Sequence, residues 1–186
     1  PEWAKDLLEN LHWLGLEWDE GPIRQSERTE IYKQYLEQLL KQEKAYWCFC
    51  SAEELEAQRQ DQMSRGEAPH YTGTCRTLSK EQQEKNLKEG RPGAIRFTVE
   101  EKIVKFKDLI RGDVQFDMAL SGDIVIAKDL ETPLYNFTVV VDDYLMKITH
   151  VIRGEDHISN TPKQMVLEEA IGFPHTIEYA HLPLIL

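Results

Sequence analysis

The sequence predicts an α/β fold in two pieces, interrupted by a small α+β module over about residues 46–134. Three observations predict it. From Tyr135 onward strand-like and helix-like patterns alternate, as they do when helices cover a sheet with ligand-facing strand ends. Between Gly93 and Lys128, four short and partly alternating runs follow one another across Gly or acidic turns, which suits a compact antiparallel group. Ahead of both lies "SERTEIYKQYLEQLLKQEKAY", where Ile31, Tyr35 and Leu39 with Leu36 and Leu40 form one helical stripe.

Taken in order, residues 1–16 read as a helix, with Trp3, Leu7, Leu11 and Leu14 three or four apart and Gly15 near its end. "EWDEGP" then turns the chain, and Ser26 offers an N-cap to the next helix. "YWCFC" (46–50) is a short aromatic strand. Ser51-x-x-Glu54 and Ser79-x-x-Gln82 are capping boxes, each opening a helix, and "SRGEAPHYTGTCR" between them is a loop. The runs "GAIRFTV", "KIVKFKDLI", "GDVQF" and "GDIVIAK" are the four strands. "YNFTVVVDD" (135–143) reads as a β-branched strand ending on two acids, and "YLMKITH" as a helix or turn. Thr161, with Pro162 at the first helical position and Gln164 two residues later, starts a helix that Gly172 and Pro174 stop. "HLPLIL" is a last apolar run.

The bulk numbers narrow the function. With 186 residues, 41% hydrophobic and 30% charged, the chain has the composition of a soluble globular protein with a sizeable core. No apolar run approaches the roughly 20 residues of a membrane span and no signal-peptide pattern opens the chain, so a cytosolic (cytoplasmic) setting is expected. A net charge of −11 means that any nucleic-acid contact must rest on local basic patches. Three cysteines, an odd number, argue against a disulfide framework. The start at Pro1 without Met and the stop at an apolar run read as a piece cut from a longer protein.

From "YNFTVVVDDYLMKITHVIRGEDHISNTPKQ" to "HLPLIL" the sequence resembles the bacterial glutamyl-tRNA synthetases. "LHWLGLEWDEGPIRQSERTEIYKQYLEQLLKQEKAYWCFC" resembles the stretch leading into that family's acceptor-binding insertion. The resemblance implies a Rossmann-like class I synthetase catalytic domain. Residues 1–45 would end its first half, 46–134 form the inserted tRNA acceptor-binding domain, and 135–186 belong to its second half. It also implies a parent that activates glutamate with ATP and Mg²⁺ and transfers it to the 3′ end of tRNA-Glu, with no membrane partner. The family's His-x-Gly-His-type and Lys-Met-Ser-Lys-Ser-type motifs are expected before Pro1 and after Leu186, so the chain alone is expected to be inactive. Ser79 in "TLSKE" reads as a helix cap, not as the second motif. Two other readings are a shortened paralogue that glutamylates a modified tRNA base (a glutamyl-queuosine tRNA synthetase) and a non-catalytic RNA-binding or zinc module.

The resemblance places Tyr135 and Arg153 at the substrate glutamate, and Asp156 and Leu184 at ATP. Physics agrees for Arg153, because a guanidinium is always charged and grips a carboxylate through two parallel hydrogen bonds. The plainer reading is an ion pair with Asp142, Asp143 or Glu155. Leu184 could equally be core, and Asp156 a loop acid. Asp142 and Asp143, on a strand, would point to opposite faces and serve structure more readily than one Mg²⁺. Cys48, Cys50 and Cys75 follow the zinc pattern of some family members, and grouped thiolates suit Zn²⁺ better than a disulfide. Thr77 is a poor fourth ligand, so His70 or water would have to complete the set, and weak, substoichiometric zinc is expected. His12, His150, His157, His175 and His181 read as packing or loop residues. Lys102, Lys105, Lys107 and Arg111 form the candidate RNA surface, unless Glu100, Glu101 and Asp108 merely balance them.

Overall fold

Helical and strand periodicities settle into six helices and seven strands among the described residues, which are 2–174 and 177–184 of the computed structural model. Helix α1 (Glu2–Trp13) ends where Gly15, at φ 74°, lets its own N–H and that of Leu16 reach back to the His12 and Leu11 carbonyls. Its apolar stripe exists, but α1 buries no residue and Trp3 is 86% exposed. Helix α2 (Thr29–Lys41) buries Tyr32, Leu36 and Leu39. The expected Ser26 cap is not used. Ser26 lies in a separate 3₁₀ turn (Gln25–Glu27), and α2 starts after Arg28 with no side-chain cap. Entry to α2 is fixed instead by Gln25 and Arg28, whose side chains both bind Asp142.

Strand β1 (Ala45–Cys48) is followed by helices α3 (Ala52–Ser64) and α4 (Lys80–Lys88), each opening on its capping box. Ser51 Oγ accepts from the Glu54 N–H at 3.2 Å while the Glu54 carboxylate accepts from the Ser51 N–H at 2.8 Å, and Ser79 with Gln82 repeats the exchange. Ser79 is thus a helix cap, as read from the sequence.

Strands β2 (Ala94–Phe97), β3 (Ile103–Asp108), β4 (Gly112–Asp117) and β5 (Ile124–Ala127) form where the four runs stand, but they do not make one antiparallel group. β1, β2 and β5 form one antiparallel sheet in the order β1-β2-β5. The β3–β4 hairpin leaves for a second sheet, ordered β4-β3-β7-β6, with β6 (His150–Gly154) and β7 (Glu178–Leu182). There β3 runs parallel to β7 at Asp108↔Tyr179, and β7 parallel to β6 from His150↔Glu178 to Gly154↔Leu182. The hairpin is held there because the buried Asp108 binds His181 of β7.

The largest departure from the sequence reading is "YNFTVVVDD". It is helix α5 (Tyr135–Leu145), not a strand. Phe137, Val140 and Val141 recur at helical spacing and all are buried, so packing between α2 and α6 (Thr161–Ile171) outweighs the β-preference of three valines. Asp142 and Asp143 are therefore helix neighbours, pointing about 100° apart rather than to opposite sheet faces. Helix α6 carries Pro162 in its first turn and ends at Gly172 with φ 86°, as expected. One apolar cluster joins Tyr32, Leu36 and Leu39 of α2, Ile95 and Phe97 of β2, Ile126 of β5, Phe137 and Val140 of α5, and Leu167 of α6. Among the described residues no helix is long and apolar enough to cross a membrane.

Candidate functional site

The carboxyl ends of three parallel strands meet at one edge of the second sheet. Asp108 closes β3, Arg153 is the penultimate residue of β6, and His181 is the penultimate residue of β7, in register with Arg153. Strand ends of this kind are where open α/β sheets bind ligands.

Arg153 is held by neutral acceptors. Its Nε–H donates to His181 Nε2 at 3.2 Å, and one terminal nitrogen donates to Thr161 Oγ1 and Gln164 Oε1, each at 2.9 Å. The guanidinium carbon also lies 5.7 Å from the Tyr179 ring centre. Among the described residues Arg153 makes no ion pair. Asp142 is taken by Arg28 at 2.8 Å, and Glu155 by Arg111. The third acid weighed from sequence, Asp143, has its carboxyl pushed up to about 6 by burial, with Glu168 and Asp142 adding like charge. The attraction of Arg153 only partly offsets this.

A chain of hydrogen bonds runs from Arg153 to His157, whose ring packs against Tyr135. Gln164, which accepts from Arg153, donates to Asn136 Oδ1 at 3.1 Å, and Asn136 faces Asn160 at 3.5 Å. Asn160 meets His157 Nδ1 at 3.1 Å, and the His157 ring lies 5.7 Å from that of Tyr135, which is 47% exposed. Thr161 and Gln164, read from sequence as a helix start, thus give their side chains to Arg153, and α6 has no side-chain cap. Asp156 is exposed on the 3₁₀ turn after β6. A Cβ at Gly154 would lie 2.4 Å from its Oδ1, so glycine there lets that carboxylate fold back over the strand end. Leu184 is exposed rather than core, and its N–H donates to Glu155 Oε1 at 3.2 Å.

The thiol cluster forms a second centre. Sγ atoms of Cys48, Cys50 and Cys75 lie within 4.8 Å of one another, with Cys50 and Cys75 3.5 Å apart. Four ligands about 2.3 Å from a tetrahedral zinc stand about 3.8 Å apart, so this spacing fits the metal. Neither His70, whose Nδ1 sits 3.0 Å from the Ala68 carbonyl, nor the exposed Thr77 joins the three thiols in one metal-sized group. The polar group nearest the thiols is the Tyr71 hydroxyl, 3.3 Å from Cys48 Sγ and 3.6 Å from Cys50 Sγ, which also accepts from the Cys75 N–H at 2.9 Å. Burial pushes the Cys48 thiol up, but Tyr71, the Cys50 backbone and Arg96 outweigh it and leave it below the ordinary thiol value. Burial pushes the Cys50 thiol up to about 12. Arg96 stacks on the Tyr71 ring at 3.8 Å, bringing a buried positive charge to a group of would-be anions.

Comparison with known proteins decides what this architecture belongs to. The whole chain, residues 1–186, matches the family described as tRNA synthetases class I (E and Q), catalytic domain. The chain belongs to that family. It is similar to the glutamate–tRNA ligase of Bacillus velezensis, with 51% identity over 96% of the chain and 39% of the relative, and to that of Hydrogenobaculum sp., with 52% identity over 100% and 40%. A crystal structure of a glutamate tRNA ligase from Elizabethkingia meningosepticum, in complex with its amino acid, superposes with a TM-score of 0.88 and 37% identity over 100% of the chain and 40% of that protein. The chain thus spans about 40% of the length of these relatives.

Within this class I catalytic fold the basic cluster read from sequence divides. Lys102 pairs with Glu169 and Arg111 with Glu155, while Lys105 and Lys107 stay exposed on one face of β3 with Ile103. Sequence reading missed Asn136, Asn160 and Asp108 as site residues, and it read His181 as packing. His157 lies beside Tyr135 and Asn160, His12 beside Glu17 and His150 beside Glu178, whereas His175 lies outside the described residues. A polar run such as "SNTPKQ" entering a helix whose start is buried was the available signal, since buried polar side chains need partners.

Proposed function

We propose that this chain is the central part of the catalytic domain of a glutamate–tRNA ligase. Its parent would activate L-glutamate with Mg²⁺–ATP and transfer it to the acceptor end of tRNA-Glu. The observation that carries this reading is the state of Arg153, a guanidinium at the carboxyl ends of parallel strands, held by three neutral side chains and, among the described residues, by no carboxylate. A cation so placed favours an anion from outside the chain. Glutamate supplies one in its side-chain carboxylate, and the exposed Tyr135 ring supplies a wall and a hydroxyl beside it.

In that reading the α-carboxylate of glutamate attacks the α-phosphorus of ATP and pyrophosphate leaves. The protein acts by positioning and charge stabilisation. Asp156 would accept from the ribose hydroxyls and Leu184 would flank the adenine, while Glu155 ties these segments together by accepting from the Leu184 N–H. Glutamine would bring a neutral amide to Arg153 and leave its charge poorly matched. Residues 46–134 are assigned to the acceptor-binding insertion, with Lys105 and Lys107 as the free cations of β3 that face RNA. The thiol cluster is assigned to structural zinc, held by Cys48, Cys50, Cys75 and the Tyr71 hydroxyl.

The test is glutamate-dependent ATP–pyrophosphate exchange in the full-length ligase, comparing Arg153→Gln with wild type. A selective rise in the glutamate KM, with the ATP KM unchanged, is expected. Normal exchange by a folded Arg153→Gln enzyme would rule the reading out.

A further inference from the structure

The side chains of Asp108 and His181 are both 0% exposed and bonded to each other at 2.6 Å, 73 residues apart in sequence. Burial pushes the Asp108 carboxyl up, but the Arg111 N–H, the His181 ring and the N–H groups of Ile110 and His181 outweigh it and hold it at about 2. Asp108 is therefore an anion that only accepts. Its Oδ2 takes the proton on His181 Nδ1, and its Oδ1 takes the three backbone N–H groups of Ile110, Arg111 and His181 at 2.9, 2.9 and 3.2 Å.

The other ring nitrogen follows by elimination. Arg153 Nε–H can only donate, and it points at His181 Nε2 from 3.2 Å. That nitrogen must carry a lone pair, so the ring is neutral with its proton on Nδ1. The Thr161 hydroxyl, which accepts from Arg153, lies 3.2 Å from the same Nε2 and so borders the acceptor without carrying the tautomer assignment.

We infer that the buried Asp108–His181 pair is a positioning device for Arg153: by fixing the His181 tautomer it provides the acceptor that orients the guanidinium toward the substrate carboxylate. This rests on the reading of Arg153 proposed above and adds to it two residues that touch no substrate. Asp108→Asn is the sharp variant. Three N–H donors at Oδ1 keep the amide oxygen there, which puts the amide NH₂ at the Oδ2 position, facing His181 Nδ1. The ring must then move its proton to Nε2, and an N–H would confront the Arg153 N–H. The shape of the site is kept while its polarity is reversed.

The experiment uses the full-length ligase carrying this chain, labelled with ¹⁵N only at histidine. The His181 signal is identified by its loss in His181→Gln. Wild type should show the Nδ1–H tautomer and Asp108→Asn the Nε2–H tautomer, with the glutamate KM raised about 10-fold or more and the ATP KM unchanged. A glutamine at 181 offers a carbonyl oxygen whose acceptor character does not depend on Asp108. In a His181→Gln background, Asp108→Asn should therefore cost roughly 2-fold or less. An unchanged tautomer in Asp108→Asn, or an equal penalty in both backgrounds, would overturn the inference and leave Asp108 as a loop cap. Should Asp108→Asn not yield folded enzyme, His181→Gln against His181→Met carries the same test, and equal glutamate KM values would overturn it. A normal glutamate KM in Arg153→Gln would instead remove the reading beneath it, with the tautomer result untouched.

Discussion

Arg28 and Arg153 are both partly buried cations gripped by side chains from distant elements, and they end in opposite electrostatic states. Arg28 donates to Asp142, which also accepts from Gln25 at 2.9 Å and from the Tyr32 hydroxyl at 2.8 Å. Charge is cancelled there, donors and acceptors are matched, and the pair works as a joint between α2 and α5. Arg153 donates to three side chains, none of them a carboxylate among the described residues, so its orientation is fixed and its charge is not cancelled. A buried arginine is therefore informative about ligand binding only when its partners are counted by charge. The joint resists motion, whereas the site keeps an unmet attraction for an anion.

Breaking the joint should have the largest effect. Asp142→Ala leaves a partly buried guanidinium unpaired and should cost on the order of 3 kcal/mol, lowering Tm by roughly 6–12 °C in calorimetry. The glutamate KM of the folded enzyme should hardly move; a KM that rises in step with the loss of Tm would merge the two regions into one.

The site should behave the other way round. Arg153→Gln should lower kcat/KM for glutamate by roughly 30-fold or more, about 2 kcal/mol, because two charge-assisted bonds to the substrate are lost. Tm should fall less than in Asp142→Ala, since only hydrogen bonds to neutral partners are lost and no internal ion pair is broken. A variant that loses activity only in proportion to its loss of folded protein would show Arg153 to be a second joint.

Asp143, next to the joint and within the field of the site, sharpens the contrast through pH. Burial and the like charges of Glu168 and Asp142 push its carboxyl up to about 6, above the roughly 3.9 of a free aspartate, so the folded state holds the proton more tightly. The associated stability is fully present below about pH 4 and is lost as pH rises through about 6. Asp143→Asn should therefore raise Tm by about 2–6 °C at pH 7.5, with the difference vanishing near pH 4. A difference independent of pH would show that ionisation of Asp143 is not its source.

The smallest effects belong to the thiol cluster. Purified enzyme should carry about one zinc per chain by elemental analysis, Tyr71→Phe should hold less than half of that, and His70→Ala should be indistinguishable from wild type. Loss of zinc in His70→Ala with retention in Tyr71→Phe would restore the histidine as fourth ligand.

What the sequence by itself determined lies within a few residues of chain. Both capping boxes, the α2 stripe, the Gly172 stop and the grouping of Cys48 with Cys50 follow from spacings that a helix turn or a strand imposes, and each is where its spacing put it. Of the strand-end residues only Arg153 was singled out from the sequence, and it was the resemblance to the synthetase family, not a spacing, that singled it out. Tertiary structure decided everything that depends on a partner far along the chain. "YNFTVVVDD" could satisfy a sheet or a helix, and the hydrophobic faces of α2 and α6 chose the helix. Asp142 and Asp143 are adjacent, yet one meets Tyr32, 110 residues away, while the other meets like charge and burial. Thr161 and Gln164 could cap their own helix or serve Arg153, and His181 could pack or accept a hydrogen bond. The choice in each case was made by which donor or acceptor the fold brought within about 3 Å, and backbone periodicity carries no record of that.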